Sequence, residues 1–294
     1  MTNLAAGRLY VVATPIGNLG DLSPRARAVL SDVALVAAED TRHTGVLLKH
    51  FDIRTPQLSL HDHNELKRAP EVIEKLRHGA SVALVSDAGT PAISDPGFEL
   101  VRAVAAAGFE IIAIPGPCAA IAALSIGALP TDRFCFDGFL PARGAARRRR
   151  LQSLATEART IVLYEAPHRV CETLEDCVEA FGEERSAVVA REITKMHETT
   201  YRGSLRELLT RARSDPDFAR GEIVLTLAGA PQTPPDEDRG ADGHGGTLDR
   251  VLKALLAELP LKQAARLAAR ITEVRDNEAY KRALYLKQES ASHS

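Results

Sequence analysis

Three loops rich in glycine, proline and small polar residues each follow an apolar run of the chain. The loops are residues 14–21, 86–97 and 115–117, and the runs are residues 8–14, 81–86 and 109–114. Glycine allows a backbone to approach a ligand closely, and proline holds a loop open. Ligands of open α/β sheets bind beyond the carboxyl ends of the strands, so we expect a site for a nucleotide-like molecule here. Ordinary tight turns are the alternative for any one loop alone.

Several familiar kinds of site are not found in the sequence. The loops match neither the phosphate-binding Walker A motif nor the G-x-G-x-x-G pattern of dinucleotide-binding folds. The cysteines lack the close spacing of zinc or redox motifs, so we expect free thiols at Cys118, Cys135, Cys171 and Cys177. His61 and His63 flank Asp62, but no further histidine, cysteine or acidic residue follows at the spacing of a known metal site. We therefore expect a capping or substrate-positioning loop there, and no metal.

Two groups of charged residues follow predicted strands. They are Asp40, Arg42 and His43 after residues 33–38, and Arg191, Glu192 and Lys195, which begin at the last residue of the strand 187–191. The first group is explained either by a salt bridge within a loop or by contact with a substrate. The second group has side chains that assist proton transfer or neutralise a forming anion.

Five arginines lie within eight residues, at Arg143, Arg147, Arg148, Arg149 and Arg150. A solvated helix face explains many such runs. A guanidinium group also binds phosphate through two parallel hydrogen bonds, so contact with a nucleic-acid backbone is the other interpretation. The formal net charge of −2 gives no support to nucleic-acid binding by the chain as a whole, so this interpretation rests on the local cluster.

Apolar runs and amphipathic stretches alternate through the first part of the chain, which predicts parallel strands joined by helices. Strands are expected at residues 8–14, 33–38, 81–86 and 109–114, and helices at residues 25–30, 71–77 and 98–107. A second set of strands is expected at residues 133–139, 160–164, 187–191, 198–202 and 222–227. The later strands of this set are close together along the chain, so we expect a mixed sheet.

The composition changes after residue 229. Residues 229–246 combine proline, glycine and an acidic run without apolar periodicity, which indicates a flexible linker. Residues 247–288 have helical periodicity, with an apolar face at Leu261, Ala264, Ala265, Ala268 and Ile271. We therefore predict two α/β domains, residues 1–117 and 118–229, a linker, residues 230–246, and a helical C-terminal domain of two or three helices, residues 247–294.

The chain has 294 residues, of which 45% are hydrophobic and 26% are charged, enough for roughly two globular domains. No apolar run approaches the roughly 20 residues needed to cross a bilayer. The first residues lack the basic start and apolar stretch of a secretion signal. We expect a cytoplasmic protein that makes no membrane contact.

Eight short motifs follow one another along the chain, at residues 14–21, 38–44, 61–64, 86–97, 115–120, 138–141, 164–169 and 190–198. Together they closely resemble the ribosomal small-subunit RNA methyltransferase I family, which lies within the tetrapyrrole methylase superfamily. Each motif is weak alone, but eight in order are highly specific. The resemblance runs from about residue 8 to residue 229 and includes residues 259–284.

The resemblance implies two α/β domains of the tetrapyrrole methylase type that hold S-adenosylmethionine between them, in a homodimer. It implies methyl transfer to the ribose 2'-hydroxyl of a cytidine in the decoding region of 16S ribosomal RNA, within the 30S subunit. The donor contacts that it implies are Pro15, Asp87, Gly89, Thr90, Pro91, Ile93, Ser94, Ser125, Phe139 and Leu140. Contacts with RNA are expected at Arg42, His43, Arg143, Arg147, Arg148, Arg149, Arg150 and Arg169.

Transfer to a hydroxyl group is helped by a base close to the departing proton. The candidates are Asp40, Glu165, Glu192, Lys195 and Glu198. We favour a polar group of Arg191, Glu192 and Lys195, in which Lys195 neutralises the forming oxyanion or a phosphate beside it. Two alternatives stay open: a methylase of a corrin precursor, and a ribosome assembly factor that binds RNA and the donor without turnover.

Overall fold

The computed structural model describes residues 7–231, 245–272 and 274–292. The strands are β1 (Leu9–Val12), β2 (Leu35–Ala38), β3 (Gln57–Ser59), β4 (Val82–Val85), β5 (Ile111–Ile114), β6 (Phe134–Phe139), β7 (Thr160–Glu165), β8 (Ser186–Arg191), β9 (Thr199–Ser204) and β10 (Ile223–Leu227). The helices are α1 (Pro24–Asp32), α2 (Thr41–His50), α3 (Glu65–Arg77), α4 (Phe98–Ala106), α5 (Ala119–Gly127), α6 (Gly144–Ser153), α7 (Val170–Phe181), α8 (Leu205–Ser214), α9 (Gly245–Glu258), α10 (Leu261–Thr272) and α11 (Asp276–Ser292). The two sheets belong to one compact unit, and α9–α11 belong to a second.

The first sheet is parallel and has the strand order β3-β2-β4-β1-β5. Side chains alternate between its faces: Leu35 and Ala37 pack against α3 and α4, and Val36 and Ala38 pack against α1 and α2. Because both faces are covered by helices, the strands are apolar without interruption, as the sequence predicts. The predicted helices and the other four strands of this sheet are confirmed, whereas the edge strand β3 is an addition.

The second sheet has the order β6-β7-β10-β8-β9. Strands β6 and β7 are parallel, and the remaining pairs are antiparallel, which confirms the predicted mixed sheet. One face packs on α6, α7 and α8, and the other face packs on α5. The α/β architecture is therefore as predicted, while the domain boundary between residues 117 and 118 stays a prediction.

Helices α9, α10 and α11 pack around a core of their own that includes Leu252, Ala265, Ala268 and Ala283. The predicted apolar face of α10 needs one correction, because Ile271 is 61% exposed. Buried alanines at successive turns of α10 centre the packed stripe away from Ile271. Most of the predicted linker, at 232–244, lies outside the described residues. No helix in the described part of the chain is long and apolar enough to span a membrane.

Candidate functional site

Hydrogen bonds join the loops that follow β1, β4 and β5 at one edge of the first sheet. Thr14 and Gly89 form a short antiparallel bridge with N···O distances of 2.8 and 3.1 Å. The hydroxyl group of Thr90 donates to the carbonyl oxygen of Pro117 at 3.0 Å. The three loops singled out in the sequence therefore form one continuous rim.

The loop between β4 and α4 has an unusual backbone. Ala92 and Ser94 have φ values of 67° and 62°, in the left-handed region that residues with a Cβ seldom adopt. Each such residue costs on the order of 1–3 kcal/mol and persists only where its surroundings hold it. Glu65 fixes the far end of the loop, because its carboxylate accepts from the N–H groups of Gly97 at 2.6 Å and Leu100 at 3.1 Å. The loop thus has a preformed shape, which is typical of ligand-binding segments.

A cavity of about 380 Å³ lies between this rim and the second sheet, and we call it the inter-sheet cavity. Its walls include Gly89, Thr90 and Ser94 from the rim and Phe139, Tyr164 and Ile223 from the second sheet. The volume falls within the roughly 300–1,000 Å³ of small-molecule sites. Apolar side chains with a few polar groups among them are the surroundings that such ligands require.

Asp95 lines the inter-sheet cavity and has a perturbed acidity. Burial, together with the negative charges of Glu39, Asp87 and Asp62, raises the pKa of Asp95 to about 6. Burial also raises the pKa of Glu39. At neutral pH Asp95 therefore places a negative charge in the wall of the cavity, and a charge of this sign favours a cationic ligand. Asp95 is absent from the predicted site residues, although it lies in the loop that the sequence singles out.

A second cavity, of about 210 Å³, is lined by the loop after β1, by the start of the loop after β4 and by α2. We call it the α2 cavity. Pro15, Gly17 and Asp87 line it, whereas Ile16 and Ala88 line the inter-sheet cavity. Successive residues of each loop therefore contribute to different cavities, and the two cavities are neighbours.

The predicted donor contacts fall into three groups. Gly89, Thr90, Ile93, Ser94 and Phe139 line the inter-sheet cavity. Pro15 and Asp87 line the α2 cavity instead. Pro91, Ser125 and Leu140 are not among the described residues that line either cavity: Pro91 and Leu140 are buried, and exposed Ser125 donates to the carbonyl oxygen of Ala122 at 2.7 Å.

Lys195 follows β8 and is held by two carboxylates. Its Nζ lies 2.9 Å from Oε1 of Glu192 and 3.1 Å from Oε2 of Glu222. Burial lowers the pKa of Lys195, but its hydrogen bonds to both carboxylates outweigh burial, so the pKa is raised and the group is an ammonium ion at neutral pH. A Cβ on Gly17 would lie 2.5 Å from Cγ of Lys195. Lys195 itself is not among the described residues that line either cavity, but its stem lies against Gly17 of the α2 cavity and its ammonium group pairs with Glu222 of the inter-sheet cavity.

Glu192 and Asp40 are held in their charged forms. Burial raises the pKa of Glu192, but hydrogen bonds from Lys195 and from the N–H group of Glu222 outweigh it, so the pKa is lowered. Asp40 caps the start of α2, and hydrogen bonds from Arg42 hold its pKa far below the usual range. A carboxylate with a lowered pKa is a weak base, so neither group is well suited to remove a proton.

Glu165 and Arg169 are occupied by each other and by their neighbours. Glu165 accepts from the hydroxyl group of Thr173 at 2.6 Å and from the N–H group of Ala166 at 2.7 Å. Arg169 lies 3.2 Å from Glu165 and donates to the carbonyl oxygen of Leu140 at 2.8 Å. These contacts connect β7 to α7 and to the end of β6, which stabilises the wall of the inter-sheet cavity.

Arg191 and Glu198 lie on either side of the turn that carries Lys195. Arg191 is 7% exposed, and its Nη2 donates to Oγ1 of Thr199 at 3.4 Å. The carboxylate of Glu198 accepts from the N–H group of Thr194 at 2.7 Å. Both residues therefore hold the turn, and Lys195 is the member of the group Arg191, Glu192 and Lys195 whose contact partners line both cavities.

Two of the clustered arginines are paired with the same carboxylate. Arg147 is 3% exposed, and its Nε lies 2.6 Å from Oδ2 of Asp176, while its Nη2 lies 3.2 Å from Glu172. Arg148 lies 3.4 Å from the other oxygen of Asp176. Arg147 therefore connects α6 to α7, and contact with RNA would require this buried pair to open.

The remaining arginines of the cluster face solvent. Nε of Arg150 donates to Asp137 at 2.8 Å. Arg143 and Arg149 are exposed, and neither pairs with a carboxylate within the part of the chain that the structure describes. Arg143, directly before α6, and Arg149, on α6, thus offer their guanidinium groups to an anionic ligand.

His61 and His63 lie with their ring centres 6.0 Å apart. The side chain of Asn64 accepts from the N–H group of His61 at 2.9 Å, which closes the loop before α3. Across residues 7–231, 245–272 and 274–292, no three histidine, cysteine or acidic side chains are grouped so that they could hold a metal ion.

Two protein-family models match the chain. The model described as Tetrapyrrole (Corrin/Porphyrin) Methylases matches residues 8–209, which include both sheets except β10. The model described as RsmI C-terminal HTH domain matches residues 242–287, which include α9, α10 and most of α11.

Curated proteins named ribosomal RNA small subunit methyltransferase I are similar over nearly the whole chain. The protein from Pseudomonas aeruginosa is 54% identical over 281 residues, covering 96% of this chain and 98% of its own length. The proteins from Escherichia coli O157:H7 and Synechocystis are each 50% identical and cover 95% of this chain, with 95% and 98% of their own lengths matched.

Solved structures of tetrapyrrole methyltransferases share the fold. A cobalt precorrin-4 methyltransferase has a TM-score of 0.57 at 17% identity, covering 75% of this chain and 94% of its own. The uroporphyrin-III-C-methyltransferase from Thermus thermophilus has a TM-score of 0.54 at 20% identity, covering 76% of this chain and 95% of its own. At this level of identity the likeness concerns the fold alone.

Proposed function

Because the chain belongs to the ribosomal RNA small subunit methyltransferase I family, we propose that it transfers a methyl group from S-adenosylmethionine to the ribose 2'-hydroxyl of a cytidine in the decoding region of 16S ribosomal RNA. The observation that carries this proposal is the inter-sheet cavity, which is preformed and has a negative wall. The resemblance of the sequence to the family further supports a cytoplasmic homodimer that acts on the 30S subunit.

The residues of the inter-sheet cavity fit the proposed donor. When bound, S-adenosylmethionine supplies an electrophilic methyl group on a positively charged sulfur. Phe139 and Ile93 offer apolar surface for a nucleoside, and Gly89 and Thr90 line the cavity beside them. Asp95 supplies a negative charge on the same wall, which offsets the charge of a cationic donor.

Lys195 is the residue that we propose to act on the acceptor. In the proposed transfer the ribose oxygen forms a bond to the methyl carbon as the carbon–sulfur bond breaks, which leaves S-adenosylhomocysteine, and the hydroxyl proton passes to solvent. A ribose hydroxyl is a weak acid, so its oxygen becomes more negative as this proton departs. The ammonium group of Lys195 stabilises that charge, and Glu192 and Glu222 keep it in place beside both cavities. Positioning the hydroxyl next to the donor supplies a further large part of the rate enhancement.

RNA recognition is proposed to rest on phosphate contacts and shape. Arg143 and Arg149 are exposed guanidinium groups, and His43 and the 90%-exposed side chain of Arg42 lie on α2 beside its cavity. Aromatic residues make up only 4% of the chain and tryptophan is absent, so a platform for stacking many bases is not expected.

The test is methylation of 30S subunits isolated from cells that lack this protein. Purified protein and tritiated S-adenosylmethionine are added, the 16S RNA is digested to nucleosides, and the labelled nucleoside is identified by mass spectrometry. We expect the label in 2'-O-methylcytidine. A label in a nucleobase would contradict the ribose as acceptor. Donor binding without any transfer would favour a non-catalytic assembly factor, and transfer to a corrin precursor would favour a tetrapyrrole methylase.

A further inference from the structure

The α2 cavity has no part in holding the donor as proposed above. At about 210 Å³ it is smaller than the inter-sheet cavity of about 380 Å³, and its lining is different in character. Leu19, Val46 and Leu47 give it an apolar wall, and Val46 is 69% exposed. This wall offers apolar contact to the flat face of a ligand, and Val46 stands where a larger side chain would obstruct the cavity.

Asp87 is the carboxylate of the α2 cavity, and its orientation is fixed. One of its oxygens, Oδ1, accepts from the N–H group of Asp40 at 3.0 Å. The N–H group of Asp87 itself points to Oε2 of Glu39 at 3.4 Å. A carboxylate accepts hydrogen bonds and donates none, so a neutral ligand must offer Asp87 a donor.

The position of the α2 cavity relates it to the acceptor. The inter-sheet cavity lies on the other side of Ile16 and Ala88. Gly17 belongs to the wall of the α2 cavity, and the aliphatic stem of Lys195 lies against it. A nucleotide with its base in the α2 cavity would therefore carry its ribose close to both the donor site and the ammonium group.

We propose that the α2 cavity holds the target base, extruded from the RNA, and that Asp87 selects cytosine by accepting a hydrogen bond from the exocyclic amino group. The inference rests on the proposed function, because it requires a nucleotide as acceptor. Uracil presents a carbonyl oxygen at the position of that amino group, and two acceptors repel each other. Enzymes that do chemistry on a base extrude the nucleotide into a pocket in this way, and the proposal extends that behaviour to an enzyme whose acceptor is the ribose.

The first test blocks the cavity with Val46→Trp. We expect unchanged affinity for S-adenosylmethionine by calorimetry and a loss of about 100-fold in single-turnover methylation of 30S subunits, because the ribose is displaced from the donor. Leu66→Trp is the matched control, because Leu66 is a 67%-exposed aliphatic side chain on α3, outside both cavities, and it should change neither quantity.

Each other outcome of the blocking test has a definite meaning. Methylation by Val46→Trp at the unmodified protein's rate would overturn the proposal. Loss of donor affinity in Val46→Trp would also overturn it, because the donor would then occupy the α2 cavity. If the unmodified protein binds the donor but methylates no ribose, the proposed function fails, whatever the variant does.

The second test measures base selection with Asp87→Asn. Reconstituted 30S subunits carry cytidine or uridine at the mapped nucleotide, and the ratio of the two methylation rates is measured. The new amide side chain would keep an oxygen for the N–H group of Asp40 and would gain a donor for uracil, so we expect the preference for cytidine to fall about tenfold. An unchanged ratio would overturn the role of Asp87. Loss of activity on both substrates would also overturn that role, because the carboxylate would then serve the shape of the loop.

Discussion

The charged form of Asp95 is costly to the fold and useful to a cationic ligand. Burial and the carboxyl groups of Glu39, Asp87 and Asp62 oppose its ionisation, which is why its pKa is raised to about 6. At neutral pH the group is nevertheless mostly ionised, so the cavity carries a negative charge, and no lysine or arginine among the described residues forms an ion pair with Asp95. A positively charged donor would supply that missing partner.

Donor affinity should therefore depend on pH. As the pH falls from about 7 to about 5, Asp95 takes up a proton and we expect the affinity for S-adenosylmethionine to fall. Asp95→Asn should weaken binding by about tenfold at neutral pH and remove most of this pH dependence. Isothermal titration calorimetry measures both, with Asp52→Asn on the exposed surface as control. Equal affinity and an equal pH profile in Asp95→Asn would show that this carboxylate does not face the donor.

Asp95→Asn should also stabilise the ligand-free protein. The pKa of Asp95 is about 6 in the folded state, compared with its ordinary value of 3.8. Between pH 3.8 and about 6 the folded state therefore binds more protons than the unfolded state, so the free energy of unfolding falls as the pH rises through this range. Asp95→Asn removes this penalty, and we expect a gain on the order of 1–3 kcal/mol in the free energy of unfolding at about pH 7.5. Urea unfolding at about pH 7.5 and about pH 4 provides the measurement. A loss of stability at the higher pH would contradict the sign.

Lys195 should affect the chemical step and leave donor binding intact. Its ammonium group is already held by Glu192 and Glu222, so it is in place before the acceptor arrives. We expect Lys195→Ala to lower single-turnover methylation by about 100-fold with unchanged donor affinity. Lys67→Ala, which removes an exposed lysine from α3, is the control. Full single-turnover methylation by Lys195→Ala, with unchanged affinity for 30S subunits, would remove Lys195 from the mechanism.

At the scale of elements, the arginines at and near α6 have two roles: Arg147 is buried and connects α6 to α7, whereas Arg143 and Arg149 are exposed. Arg143→Ala and Arg149→Ala should each lower the salt dependence of 30S binding by about one unit of slope, because each removes one phosphate contact. Arg147→Met should leave that slope unchanged and cost about 3 kcal/mol of stability, because it leaves Asp176 poorly paired. Filter binding at several salt concentrations and urea unfolding distinguish these effects. An unchanged slope in the first two variants would make the outer face of α6 a solvated surface only.

The elements that the sequence predicts well are those whose pattern is set by burial on both faces. Strands β2 and β4 are four apolar residues each, because helices cover both sides of the sheet. Strand β3 has three half-buried residues at the sheet edge, too few to form a pattern. Helix α2 begins with Thr41, Arg42 and His43, and its polar start resembles a loop until Asp40 is known to cap it.

The candidate site is predictable at the level of loops and less so at the level of side chains. Residues 86–97 stand out by composition, but the sequence does not reveal that Asp95 is buried among other carboxyl groups. Pro15 and Ile16 are adjacent in the chain but line different cavities, so the sequence alone does not predict which cavity each residue lines. The arginine cluster has one composition and two roles, because helical periodicity turns Arg147 inward.

At the scale of the whole unit that contains both sheets, the two sheets have different tasks. The parallel sheet brings the carboxyl ends of its strands to one edge, which gathers the loops into a rim. The mixed sheet supplies the opposite wall, with Phe139 and Tyr164, and the turn that carries Lys195. The proposed reaction needs both, because the cavity that we propose for the donor lies between the sheets and the cavity that we propose for the target base lies beside it.

A crystal structure of the protein with S-adenosylhomocysteine, the demethylated product of the proposed donor, tests the central claim most directly. We predict electron density in the inter-sheet cavity, against Gly89, Thr90 and Phe139, with the α2 cavity free of ligand atoms. Density in the α2 cavity, or at any site away from the rim, would contradict the account.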